Sequence, residues 1–233
     1  MVNNKNGNYL QFMFFEFIFL GYYAILNWEV SKMYKVFKRV MSFILALILF
    51  IICLPLGIVV AIAIKLESKG SFFFKQLRTG KDGKEFYCYK FRSMVSGNDV
   101  RDLSKKDQVT KVGKFIRKTS IDELPQLINI LKGEMTFIGP RPWITDYAKH
   151  YTKRQRKRLD VTPGMTGLAQ CSGRNNISIK EKIELDIKYV ENMSLKMDLY
   201  IIFKTIICVL KKEGFSSDKN TINEEIEELK AQA

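Results

Sequence analysis

Histidine is almost missing from this chain of 233 residues: His150 is the only one. A Ser-His pair, a His general base or a His-rich metal site would have to rest on that one side chain, so chemistry falls more naturally to carboxylates. Cysteine is sparse as well. Cys53, Cys88, Cys171 and Cys208 lie far apart without C-x-x-C spacing, and two sit in apolar stretches where a thiol packs as a small hydrophobe. Neither a disulfide framework nor a zinc site is suggested. Internal repeats are absent, as are G-x-x-x-x-G-K-[ST] and G-x-G-x-x-G, which argues against a P-loop nucleotidase and a dinucleotide enzyme. Acidic residues are the minority, 24 against 38 basic ones, and a formal charge of +14 implies anionic partners: nucleic acid, an anionic membrane surface or phosphorylated substrates.

Charge is missing altogether from Val40 to Ile64. As one helix those residues would extend about 37 Å, enough to cross a hydrocarbon core of roughly 30 Å. Pro55, followed by Gly57, sits near the midpoint and predicts a break at Leu54-Pro55, because proline removes a helix hydrogen bond and adds a clash. Basic residues flank both ends: Lys35, Lys38 and Arg39 before, Lys65 and Lys69 after. A re-entrant helix that enters and leaves on the cytoplasmic face satisfies both facts, and a kinked spanning helix is the alternative. Upstream, Tyr9 to Trp28 is apolar and aromatic but contains Glu16, so it is either interfacial or spanning. With little positive charge before it and no small-residue cleavage pattern after it, it does not read as a signal peptide.

Aromatic strand-like runs at Ser71-Leu77 and Glu85-Phe91 flank Gly80 and Asp82-Gly83, which predicts a β-hairpin. Ser96 to Thr110 reads as a polar loop with a short helix. Helical periodicity returns for Leu124-Leu131, Ile144-Leu159, Ile179-Asn192 and Leu199-Leu210. The acidic end around Asn223-Glu228 reads as an exposed helix or as disorder.

Three segments carry chemistry. In Thr119-Ser120-Ile121-Asp122-Glu123-Leu124-Pro125-Gln126, proline belongs to a first helical turn, so the helix is predicted to start no earlier than about Ser120 to Asp122, with Asp122 at or next to its N-terminus and in the positive field there. The structural alternative is a capping box, Ser120-x-x-Glu123. In Phe137-Ile138-Gly139-Pro140-Arg141-Pro142, two prolines fix the backbone around Arg141, whose planar fork suits phosphate or carboxylate. A stiff surface loop bearing a solvated arginine is the plainer reading. In Pro163-Gly164-Met165-Thr166-Gly167-Leu168-Ala169-Gln170 and Gly173-Arg174-Asn175, glycines permit close backbone approach next to Arg174.

Together with Lys38-Arg39, Leu54-Pro55 and Lys90-Phe91-Arg92-Ser93-Met94, and in that order along Tyr34 to Leu210, these segments resemble the bacterial sugar transferases, the monotopic phosphoglycosyl transferases. The resemblance implies a mainly helical α+β fold: a small cytosolic domain with a β-hairpin, anchored by a Pro-broken re-entrant membrane helix and interfacial helices. It divides the chain into an apolar extension at 1–33, a membrane helix at 34–69, a catalytic domain at 70–212 and an acidic tail at 213–233. It implies transfer of a sugar 1-phosphate from a UDP-sugar to a polyprenyl phosphate at the bacterial cytoplasmic membrane, as the first step of surface glycan assembly. Asp122 would be the nucleophile, forming an aspartyl phosphosugar, and Glu123 would hold Mg2+ with it or assist proton transfer. Arg117, Arg141 in its Pro140-Pro142 bracket, and Arg174 would contact nucleotide or phosphate.

The basic run Lys149, Lys153, Arg154, Arg156, Lys157 and Arg158 is read either as a face for anionic headgroups or as a solvated helix face. Two rivals come from other classes: a non-catalytic membrane-anchored scaffold, in which the dyad merely caps a helix, and a nucleic-acid binder. The second is disfavoured because the aromatics gather in the membrane-like and hairpin segments rather than among the basic residues. The sugar and the oligomeric state stay open, a homodimer among the options.

Overall fold

The computed structural model describes residues 5–95, 108–173, 177–210 and 222–231, with side chains from Lys32 onward. Arg174 and most of the polar loop after Ser96 lie outside the described residues. The chain divides into two units, Met1–Val40 and Met41–Ala233. The first is helical from Lys5, in keeping with either reading of Tyr9 to Trp28. Everything below belongs to the second.

Helix α1 has the bounds Lys5–Glu67 and contributes Met41–Glu67 to this unit. Its inward residues, Ser42, Ala46, Cys53, Gly57, Val60 and Ile64, recur at helical spacing, while Ile44, Ile48, Ile51, Ile52, Ile58 and Ile62 are exposed. A helix so apolar, with only a narrow stripe packed, is suited to lipid rather than water. The predicted break at Leu54-Pro55 is not an interruption of secondary structure: Pro55 lies inside α1 and the packed stripe keeps its phase across it. The prolyl residue is exposed, so the carbonyl it orphans faces away from the core.

Strands β1 (Phe73–Thr79) and β2 (Glu85–Phe91) form the expected antiparallel hairpin, pairing Phe73 with Phe91 and Thr79 with Glu85. Asp82 and Gly83 make the turn with positive φ, 56° and 76°, as their types allow. Helix α2 (Lys111–Lys118) is capped by the Thr110 hydroxyl, and α3 (Gln126–Lys132) ends at Gly133 in the left-handed region. A second, parallel pair, β3 (Thr136–Ile138) with β4 (Gly164–Thr166), was not expected, since strands of three residues carry no readable alternation.

The single helix predicted for Ile144-Leu159 is two pieces, α4 (Thr145–Ala148) and a 3-10 segment Gln155–Leu159. Thr152 and Gln155 explain the restart: the Gln155 carboxamide accepts from Thr152 N at 2.9 Å and the Thr152 hydroxyl accepts from Gln155 N at 3.2 Å. Then follow α5 (Leu168–Ser172), α6 (Ile179–Glu191), α7 (Leu195–Leu210) and α8 (Ile222–Lys230). Helix α7 packs Ile201 and Asp198 inward, the latter accepting from Tyr189 Oη at 2.7 Å, and leaves Leu199, Phe203 and Ile206 exposed. The acidic end is docked rather than solvated: Leu229 is fully buried, with Ile222 and Ile226 beside it, against Ile144, Tyr147 and Ile183. A fully buried apolar side chain contributes roughly 1.5–3 kcal/mol, and Glu225 adds polar contacts on the same side, accepting from Tyr147 Oη and pairing with Lys182 at 3.2 Å.

Three side chains fix the elements around the site. Asn129, fully buried on α3, accepts from Tyr89 N at 3.1 Å and donates to Tyr87 O at 2.7 Å, serving the open edge of β2 as a neighbouring strand would. Arg92 donates to Lys69 O at 2.6 Å and Ser68 O at 2.8 Å, clasping the end of α1. Glu67, the last residue of α1, accepts from the amides of Lys111 and Val112 at 2.6 and 2.9 Å, so the helix is joined to β2 and α2 together.

Candidate active site

Asp122 and Glu123 lie in a 3-10 turn, Ile121–Glu123, between α2 and α3, and not at the start of an α-helix. Helix α2 ends at Lys118, so the chain must reverse within Thr119-Ser120, and Ser120 does so with φ 57° and ψ 15°. Ser120 makes no side-chain cap hydrogen bond, so the capping box that was the structural alternative is not formed. That motif occurs instead at Ser178 and Glu181, opening α6. The dyad therefore owes its electrostatics to side chains rather than to a helix terminus.

The two carboxylates are treated differently. Lys90, reaching across from β2, donates to Glu123 Oε1 at 2.6 Å, and Arg141 Nη2 approaches the same oxygen at 3.4 Å. Burial alone would raise the Glu123 pKa, but these two cations outweigh it and hold the group at about 2. For Asp122 burial prevails and the charge of Glu123 adds to it, while Lys90 and Arg117 pull the other way, so its pKa lies above the usual aspartate value. Neighbouring acids pushed in opposite directions indicate different tasks: Glu123 is a fixed anion that organises cations, and Asp122 is the more basic oxygen donor.

Arg141 is more rigidly presented than its two prolines require. Four successive carbonyls are held from three elements, β4, the 3-10 segment and, twice, β1. Pro140 O accepts from Gly164 N at 3.0 Å, Arg141 O from Arg158 Nη2 at 2.7 Å, Pro142 O from Arg78 Nη1 at 2.8 Å and Trp143 O from Thr79 N at 2.9 Å. Pro140 and Pro142 are themselves buried, so they hold the turn instead of lining a ligand site. The glycines of the following segment make this approach feasible: a Cβ on Gly164 would lie 2.1 Å from Gly139 N. Arg117, expected to face phosphate, donates through Nε to Ser93 Oγ at 2.7 Å and adds its charge to the field at Asp122.

A half-buried aspartate beside a clamped glutamate, with a firmly held arginine reaching toward them, suits attack on a phosphorus centre. The sequence pattern of the bacterial sugar transferases matches residues 33–212. The chain belongs to that family, the phosphoglycosyl transferases.

Among relatives, the uncharacterized sugar transferase EpsL of Bacillus subtilis is 43% identical over 192 residues, covering 81% of this chain and 95% of EpsL. The exopolysaccharide production protein ExoY of Rhizobium meliloti is 37% identical over 196 residues, covering 76% and 87%. The UDP-glucose:undecaprenyl-phosphate glucose-1-phosphate transferase of Klebsiella pneumoniae is 44% identical over 183 residues, 73% of this chain but only 39% of that longer protein.

For this sugar transferase, the donor set fits the Mg2+ that the resemblance implies. No third His, Cys, Asp or Glu joins the dyad among the described residues, and Mg2+ characteristically binds one or two carboxylates and takes its other ligands from phosphates and water. Beside the dyad, an apolar groove of about 540 Å³ runs between α1 and the domain, lined by Leu54, Gly57, Ala61, Phe72, Leu124 and Leu127. Leu124 directly follows Glu123.

The structure separates one member of the basic run from the rest. Arg158 is buried against Asp186, whereas Arg154 pairs with Glu184 at 2.7 Å, Lys157 with Glu191 at 2.9 Å and Lys149 with Asp146 at 2.9 Å, all at the surface. Arg158 thus serves the fold, and the three exposed pairs add little to stability. Sequence reasoning also missed the roles of Lys90 and Arg78. Lys90 stood within a quoted motif, but its partner is 33 residues away, and only the hairpin's position against the dyad turn reveals it.

Proposed function

We propose that this phosphoglycosyl transferase moves a sugar 1-phosphate from a UDP-sugar to a polyprenyl phosphate such as undecaprenyl phosphate. It acts at the cytoplasmic face of a bacterial membrane and starts a surface polysaccharide. The observation that carries this reading is the split dyad: Glu123 neutralised by Lys90 and Arg141, with Asp122 beside it kept basic by burial.

An Asp122 carboxylate oxygen attacks the β-phosphorus of the UDP-sugar as the bond to the bridging oxygen breaks. UMP leaves with that oxygen, and the sugar phosphate stays on Asp122 as an acyl phosphate. A phosphate oxygen of the polyprenyl acceptor then attacks the same phosphorus and releases the aspartate. Arg141 orients the diphosphate, and Lys90 keeps Glu123 from repelling it. Mg2+, held by Asp122 or the remaining oxygen of Glu123, would supply charge neutralisation of the diphosphate.

Membrane placement follows the acceptor. Ala46 packs with Leu127 and Ile130, and Ile64 with Phe91 and Ile116, so α1 stays in contact with the polar domain over about 27 Å of its length. The Met41–Glu67 part of α1, flanked by the domain along most of that stretch, is poorly placed to cross a hydrocarbon core alone. That favours a shallow course with both ends on the cytoplasmic side, and such a course would bring the apolar groove to the isoprenoid chain of the acceptor. The exposed apolar residues of α7 and Phe115 on α2 are suited to the same interface.

The reading is tested by assaying UMP release from membranes given undecaprenyl phosphate, Mg2+ and a panel of UDP-sugars. UMP is expected with at least one donor, and a chelator should stop it; release that ignores both acceptor and chelator contradicts the reading. For the anchor, single cysteines at Lys38 and Lys69 should both react with an impermeant maleimide from the cytoplasmic side. Labelling from opposite sides would replace the shallow course with a span.

A further inference from the structure

Beneath the Arg141 turn lies a buried ion pair that the transfer chemistry does not use. Arg158 and Asp186 are 2% and 1% exposed. Arg158 donates to Asp186 Oδ2 through Nη2 at 2.6 Å and Nε at 3.1 Å, to Tyr151 Oη through Nη1 at 2.8 Å, and to Arg141 O through Nη2 at 2.7 Å. Its guanidinium carbon stands 4.0 Å from the centre of the Trp143 ring. Such a pair is a costly way to fill space. Desolvating both charges consumes most of their attraction, and apolar side chains of similar volume commonly do as well or better. Here the cost is higher still, because Asp186 Oδ1 is buried without a hydrogen-bond partner among the described residues.

A site that tolerates this arrangement uses the guanidinium for something an apolar residue cannot supply. The one bond Arg158 makes toward the active site is to the carbonyl of Arg141, the residue whose side chain approaches Glu123. Trp143, two residues further along the same turn, stacks on it from the other direction. We infer that Arg158, oriented by Asp186, is the positioning residue that sets the angle at which Arg141 meets the donor diphosphate. This rests on the proposed role of Arg141 and extends it to a pair outside the ligand's reach.

The test uses the full-length enzyme in membranes, measuring UMP release and thermal stability. Arg158→Met with Asp186→Leu removes both charges and preserves volume, so Tm should stay within about 3 °C of wild type. The KM for the UDP-sugar should rise about tenfold to a hundredfold, the scale of a misplacement of about 1 Å. Combined with Arg141→Ala, the losses should fail to add, because an arginine that is absent cannot be misplaced. If the double variant does not fold, Asp186→Asn, which keeps shape and leaves Arg158 half-oriented, should show a smaller rise in KM with the same non-additivity. Wild-type kinetics in a folded variant, or losses that multiply with Arg141→Ala, overturn the inference while leaving Arg141's own role intact. An Arg141→Ala enzyme with unchanged KM overturns both.

Discussion

Asp122→Asn is expected to abolish covalent capture of the sugar phosphate and to lower UMP release by a factor on the order of 10⁴, the scale seen when a nucleophile is removed from an otherwise intact site. Stability should move the other way or not at all. A group whose folded pKa is raised binds its proton more tightly in the folded state, so at neutral pH its ionisation disfavours folding; an uncharged amide of the same shape removes that penalty. Loss of turnover with an equal or higher Tm would separate a chemical role from a structural one. A cap role predicts the reverse, normal turnover and about 1 kcal/mol less stability. The wild-type pH profile offers a second check. The nucleophile must be deprotonated, so kcat/KM should fall on the acid side with a midpoint above the usual aspartate value, not near the value of about 2 that belongs to Glu123. An adduct mapped to Glu123, or an acid limb near its pKa, would reverse the assignment within the dyad.

Lys90→Met should have the next largest effect. It leaves Glu123 with the more distant Arg141, so the carboxylate is less well compensated and its repulsion of the diphosphate is restored. A loss of kcat/KM of about 10²-fold is expected, with Lys90→Arg recovering part of it. Stability should fall by about 2–3 kcal/mol, since one partner of a partly buried pair has been removed. The pH dependence gives the sign. A folded pKa of about 2 against an ordinary 4.5 means that the wild-type contribution is fully present above about pH 4.5 and is lost as pH falls toward 2. Thermal melts between pH 7 and pH 3 should therefore show wild type losing more stability than Lys90→Met. Parallel curves would mean that Lys90 does not hold Glu123 in solution.

The hairpin was readable because its cause is local: Asp82-Gly83 can adopt positive φ, and aromatic runs flank it. Helix α6 was readable from the apolar periodicity of Ile179-Asn192. The dyad turn was misjudged because the Pro125 rule says only where a helix can begin, and the space between α2 and α3 demanded a left-handed Ser120 instead. Arg158 was hidden by its company. In a run of six cations nothing local marks the one that turns inward, since Asp186 and Trp143 are assembled only by tertiary packing. The acidic end carried a legible signal that charge obscured: Ile222, Ile226 and Leu229 fall at i, i+4 and i+7, the stripe of a docked helix.

The junction at Glu67 to Lys69 has no slack. Its carboxylate is bonded to two amides of α2 and its carbonyls to Arg92, so the end of the greasy helix is tied to the elements that carry the dyad turn. Given the proposed membrane placement, the site is expected, like a rudder fixed to its hull, to ride at whatever height the lipids set for α1. Turnover should then respond to bilayer thickness and headgroup composition when the enzyme is reconstituted in vesicles of different lipids.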